Sequence, residues 1–140
     1  MSQQSLHDAK QFTEVIPHAS ALGMELTKIE AGRVEISMPY SPQLVGDPKT
    51  GVIHGGAVSA VMDTCCGAAV MSHPRNPTAT ATIDLRIDYM RPATPGQSIV
   101  TRAHCYHITR SVAFVRAQAF DDDLENPVAT ATGAFTVEVK

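Results

Sequence analysis

The chain has 140 residues and a formal net charge of -3, with 44% hydrophobic residues, 5% aromatic residues and no Trp. That length suits one domain and is short for two, and the apolar share is enough for a core of small and aliphatic side chains. The acidic balance argues against a nucleic-acid protein, which needs a basic face, and does not exclude a small anionic ligand held by one or two local Arg. Residues 1–20 read as an N-terminal extension, weakly helical over residues 5–16, which Pro17 brings to an end. That stretch has no apolar run like that of a signal peptide. Met24 to Ile29 and Val34 to Met38 read as a hairpin turned at Ala31-Gly32, with Val34, Ile36 and Met38 alternating against Arg33, Glu35 and Ser37.

A loop with Pro42, Gly46, Pro48 and Gly51 follows, and then a helix over roughly His54 to Ser72. Asp63 is the only Asp, Glu, Lys or Arg between His54 and His73, so this helix reads as buried nearly all round. Its apolar run, Ala57 to Met71, is too short to cross a membrane. Four strands are expected after it: Thr82 to Met90, Ile99 to Ile108, Val112 to Phe120 and Val128 to Val139. In the first, Ile83, Leu85, Ile87 and Tyr89 share one face, and Asp84, Arg86 and Asp88 the other. The order of strand pair, helix and strand run is α+β, with about six antiparallel strands wrapped around one central helix.

The three cysteines, Cys65, Cys66 and Cys105, make no disulfide framework, and a reducing cytoplasm is the expected compartment. His104 and His107 are three apart on a strand and face opposite ways, so no metal site is expected. The acidic run Asp121 to Asp123 reads as a solvated hairpin turn.

Asp63 is the most informative residue. A carboxylate on a buried helix must be paired, hydrogen-bonded or functional. It could be a packing anchor bonded to a nearby Ser or Thr, or a chemical group. His54-Gly55-Gly56 stands where the helix begins, and two glycines there expose backbone N–H groups at the positive end of the helix dipole. Such donors suit a developing oxyanion, or the glycines could simply serve a tight turn, with His54 as a cap. His54 and Asp63 are nine residues apart, about 13.5 Å along the axis and on roughly opposite sides of the helix. Within one chain they cannot meet at one reacting atom. If both serve one site, the site is shared by two copies of the chain, Asp63 of one facing the Gly55 end of the other.

The run Gly51-Val52-Ile53-His54-Gly55-Gly56 with Asp63, together with the segment Ile87 to Gly96, resembles the helix motif and third-strand turn of hotdog-fold acyl-coenzyme A thioesterases of the phenylacetate-degradation (PaaI) type. The resemblance spans about Leu22 to Val137. It implies hydrolysis of an acyl thioester to a carboxylate and a thiol, with no cofactor beyond the coenzyme A of the substrate. Asp63 would be general base or nucleophile, the Gly55 N–H the oxyanion donor, His54 an orienting group, and Thr82 a partner of the attacking water. Gly56, Arg91, Arg110 and Ser111 would contact the substrate. Homodimers with composite sites, paired into tetramers, are implied as well. The chain departs from the pattern in the loop before His54, where many relatives carry Asn and this one has Asp47-Pro48. A non-catalytic acyl-CoA-binding module is the alternative, and coenzyme A and an acyl carrier protein both stay open as the carrier.

Overall fold

Glu25–Glu30 (β1) and Arg33–Met38 (β2) form the expected hairpin, with Val34, Ile36 and Met38 buried and Gly32 at φ 75° in the turn. The coordinates are a computed structural model that describes residues 14–139. Of the helix expected over residues 5–16, all but the last three residues lie outside that range. Glu14 is helical and Val15 and Ile16 are not, so a helix ends before Pro17 as expected, and Pro17 also begins a further short one, Pro17–Ala21 (α1). Its fixed φ and missing N–H fit the first helical position, which is why the sequence signal points both ways.

One 3-10 turn, Pro42–Leu44, leads into a small hairpin that the sequence reading leaves as loop: Val45–Asp47 (β3) and Val52–Ile53 (β4). The long helix is Gly55–Met71 (α2). Pro77–Tyr89 (β5), Ile99–Ile108 (β6), Val112–Phe120 (β7) and Ala129–Val139 (β8) complete the chain. One antiparallel sheet runs in the order β1-β2-β6-β7-β8-β5, and α2 packs across it against β6, β5, β7 and β2. Ile36, Met38, Met62, Ile99, Val115 and Phe135 fill the space between. This is the α+β hotdog arrangement, a sheet curled around one helix. Among the described residues no helix is long and apolar enough to cross a membrane.

Two features differ from the sequence reading and shape the site. First, α2 is not buried all round. Its Val58, Val61, Met62, Cys65 and Cys66 face the sheet, while Gly55, Gly56 and Asp63 are exposed in the single chain, with Ser59 and Ala60 half-exposed between them. The helix looks uniformly apolar because its outer stripe is made of Gly, Ala and Ser rather than charged residues. Second, β5 begins five residues earlier than expected. Its Thr-Ala-Thr-Ala-Thr run has β-branched residues but no strong apolar alternation. It forms an edge of the sheet and is mostly exposed, Ile83 by 56%.

The pairing of β5 with β8 slips between Thr82 and Asp84, so Ile83 is the extra residue of a β-bulge. Strict alternation would set Thr82 on the face of Asp84, Arg86 and Asp88. The bulge turns Thr82 to the helix side instead. Opposite it, Gly133 admits the bulged strand: a Cβ there would lie 2.7 Å from the Asp84 carbonyl oxygen.

The turn between β7 and β8 is not simply solvated. Asp121 is only 2% exposed. Arg91 donates to both of its oxygens at 2.7 Å, and Thr94 adds its backbone N–H at 3.0 Å and its hydroxyl at 2.9 Å. The Arg91 guanidinium holds the Asp121 carboxyl far below its usual range. Burial opposes this, and N–H bonds from Thr94 and Asp123 add to it. Asp121→Ala is expected to lower the unfolding free energy by about 3 kcal/mol in urea denaturation at fixed protein concentration, because it leaves Arg91 without its partner. The sign with pH follows from the lowered folded value. The unfolded chain takes the proton first, so the contribution is complete above about pH 4 and fades as the pH falls toward the folded value. The gap between wild type and Asp121→Ala should therefore narrow only in strong acid.

Candidate active site

Leu44 and the β3–β4 hairpin deliver His54 to the start of α2, where the His54 N–H donates to the Leu44 carbonyl at 2.8 Å. His54 is extended (φ -60°, ψ 135°) and caps the helix. Its Nδ1 accepts the Gly56 N–H at 2.7 Å, which fixes the neutral tautomer with the proton on Nε2. A Cβ at residue 56 would lie 2.8 Å from that nitrogen, so the cap requires glycine there. Of the two donors expected at the helix start, Gly56 is thus spent on His54. No acceptor among the described residues takes the Gly55 N–H, which stands free at the positive end of the helix.

Eight residues on, about 12 Å along the axis, Asp63 reaches the outer stripe of α2. Thr82 donates its hydroxyl to Asp63 Oδ1 at 2.8 Å. Asp63 is exposed in the single chain, and its Oδ2 has no hydrogen-bond partner among the described residues. Within the chain the structure brings Asp63 to Thr82 and His54 to Gly55 and Gly56, and keeps the two groups apart. Tyr89 joins the second group. Its hydroxyl donates to the Gly55 carbonyl at 2.8 Å, and its ring would sit 3.5 Å from a Cβ at residue 55. The sequence reading takes Tyr89 only as an apolar residue of β5. Its signal is the long β5 run, which ends beside the N-terminus of α2.

The expected substrate contacts are scattered. Arg91 borders a cavity of about 460 Å3 that opens beside Gly55 and Tyr89, but its guanidinium is engaged with Asp121 and the Asn126 carbonyl. Arg110 and Ser111 form the exposed β6–β7 turn. That turn lies at the end of the sheet near the C-terminus of α2, where Arg75 donates to the Ile108 carbonyl at 3.5 Å, and so away from Gly55 in the same chain. Asp47 is exposed, and its carboxylate accepts the Lys49 N–H and the Thr50 hydroxyl inside its own turn. A larger cavity of about 610 Å3 lies on the outer face of the sheet, remote from both groups. Some of the charges around it pair with one another, as Glu35 does with Arg102 and Lys28. Among the described residues no three His, Cys, Asp or Glu side chains gather as a metal site. Burial pushes the Cys66 thiol well above its usual range, with the nearby Asp63 and Cys105 adding to the effect, so it stays an inert thiol.

The thioesterase superfamily profile matches residues 50–128, which contain the helix, Asp63, Thr82 and the Arg91 turn. The chain belongs to the thioesterase superfamily. Its reaction class is thioester hydrolysis. Among relatives of this superfamily member, the medium/long-chain acyl-CoA thioesterase YigI of Escherichia coli is 26% identical, over 91% of this chain and 90% of its own. A crystal structure of a Pseudomonas aeruginosa protein superposes with a TM-score of 0.84 at 36% identity, covering 94% of this chain and 98% of that one. The Escherichia coli PaaI protein of the phenylacetic acid degradation operon superposes with a TM-score of 0.86 at 20% identity over 97% and 94% of the two chains, a likeness of fold.

Proposed function

We propose that this thioesterase-superfamily chain hydrolyses acyl-coenzyme A to a carboxylate and free coenzyme A, in sites shared by two copies of the chain. The observation that carries the reading is the separation of a free Gly55 N–H from a Thr82-bonded, exposed Asp63 on one uncovered helix stripe. An antiparallel partner helix would set each Gly55 against the other chain's Asp63, and the exposed β5 edge offers the backbone for that pairing. The names of its acyl-CoA thioesterase relatives support the substrate.

In this mechanism the Gly55 N–H polarises the thioester carbonyl. Asp63, steadied by Thr82, removes a proton from water as the water oxygen bonds to the carbonyl carbon. The negative charge passes to the carbonyl oxygen. When it returns, the carbon–sulfur bond breaks and the thiolate leaves, taking the proton held by Asp63. Attack by Asp63 itself, through a mixed anhydride that water then opens, uses the same two groups. His54 keeps the helix start in place, and Arg110 and Ser111 would meet coenzyme A from the partner chain. Coenzyme A is part of the substrate, and no further cofactor enters the steps.

Thiol release from a panel of short, medium, long and aryl acyl-CoAs tests the reading. Turnover on at least one is expected, and none on any would move the weight to the non-catalytic acyl-CoA-binding module, which the Asp47 turn favours. That module would show acyl-CoA-dependent thermal stabilisation without thiol release.

A further inference from the structure

The outer face of the sheet carries a row of basic side chains that the chain does not neutralise. Strand pairing sets Arg33 of β2 opposite His104 of β6, and His104 opposite Arg116 of β7. Side chains so opposed stand about 5 Å apart at Cβ, and like charges there destabilise a sheet. Neither arginine has an ion-pair partner among the described residues, and the Arg116 guanidinium lies 4.0 Å over the Tyr106 ring instead. All three residues of the row border the cavity of about 610 Å3. Three carboxylates border it too. Glu35 is engaged by Arg102, Lys28 and the Thr27 hydroxyl, and Asp88 by Arg86. That leaves Glu30 against two arginines, and it makes an ion pair with neither. Gln118, Thr130 and Thr132 line the same space, and their side chains have no hydrogen-bond partner among the described residues. We propose that this cavity binds the phosphate group of a small molecule, held between Arg33 and Arg116.

A phosphate turns the repulsion along this row into attraction. The planar fork of arginine offers paired N–H donors that match phosphate oxygens. The volume lies in the range of small-molecule sites and exceeds one phosphate, so the Gln118 amide and the two Thr hydroxyls would meet the rest of the ligand. Because α2 covers the other face of the sheet, this site is separate from Gly55 and Asp63 and does not rest on the thioesterase reading. His104 reports on it. Burial holds its pKa below the usual value, and Arg33 and Arg116 add to this. The groups around it are those two arginines, Tyr106 on its own strand, Glu30 across the cavity, and His73 beyond α2, which is within its electrostatic reach. A phosphate seated in the row reverses the local charge and should raise the His104 value.

The test is titration calorimetry with inorganic phosphate, glycerol phosphate and AMP on wild type, Arg33→Gln, Arg116→Gln and Lys49→Gln. Both arginines are exposed, so the variants should fold, and Lys49 carries the same charge in the β3–β4 turn, outside the cavity. Wild type should bind one phosphate group per chain. Each arginine variant should weaken binding about tenfold, the loss of a charge-assisted hydrogen bond, and Lys49→Gln less than about twofold. Tighter binding of glycerol phosphate and AMP would name a phosphate ester as the occupant, and equal affinities the free ion; both keep the site. The His104 titration, followed by NMR and assigned with His104→Gln, should move to higher pH when AMP is added to wild type, and stay in place at the same AMP concentration in Arg116→Gln. No binding, or binding that survives both arginine variants, would overturn the proposal. So would a fall in oligomer mass in Arg116→Gln without phosphate binding, which would give the row to carboxylates of a second copy. Thiol release by Arg116→Gln in phosphate-free buffer should match wild type, so the hydrolysis reading and this one fail separately.

Discussion

Asp63→Asn is expected to lower kcat/KM for acyl-CoA by about 10²- to 10⁴-fold, the range set by loss of a positioned general base. The substitution is chosen because it changes little else. Asp63 is exposed in the single chain, and the Asn carbonyl can still accept the Thr82 hydroxyl that Asp63 Oδ1 accepts at 2.8 Å. The fold and subunit association should therefore survive. If Asp63 were only an anchor for Thr82, Asp63→Asn would leave turnover almost intact and Asp63→Ala would act on stability alone. Steady-state thiol release and a thermal melt on the same samples separate these cases.

Gly55→Pro is expected to cost about 10²- to 10³-fold in kcat, the loss seen when one oxyanion donor is removed. Proline deletes the N–H and little more. Residue 55 is the first position of α2, where proline is well accepted, and His54 already has the extended backbone that a following proline requires. The new ring would meet Tyr89 at ordinary contact distance, since a Cβ at residue 55 lies 3.5 Å from it. Affinity for a non-hydrolysable acyl-CoA thioether should fall far less than kcat, because the donor acts chiefly on the charge that develops during reaction. A loss confined to KM would mean that the Gly55 N–H only binds.

Much of this was legible in the sequence because the signals are local. The β1–β2 hairpin shows in its alternation and in Ala31-Gly32, and the limits of α2 show in Gly55-Gly56 and in the end of the apolar run. The pairing of Asp63 with a nearby hydroxyl could be anticipated, and His54 proves to be the cap that its position suggests. What was hidden depends on distant partners. Asp121 looks solvated among its acidic neighbours until Arg91, thirty residues away, closes on it. Asp63 looks buried because the outer stripe of α2 is small and apolar, the composition of a helix that another surface could cover. Thr82 falls on the wrong face by simple alternation, and only the bulge at Ile83 brings it to Asp63. Tyr89 reads as core, yet its hydroxyl holds the first turn of the helix.

Subunit complementation shows whether the site is built from two chains. Asp63→Asn and Gly55→Pro chains, each nearly inactive alone, would be refolded together in equal amounts and assayed for thiol release. If each site takes Asp63 from one chain and Gly55 from the other, half of the dimers are mixed and each of these holds one intact site. Activity should then recover to about a quarter of wild type. Activity that stays at the level of the separate variants, with mixed dimers shown to have formed, would contradict a site built from two chains.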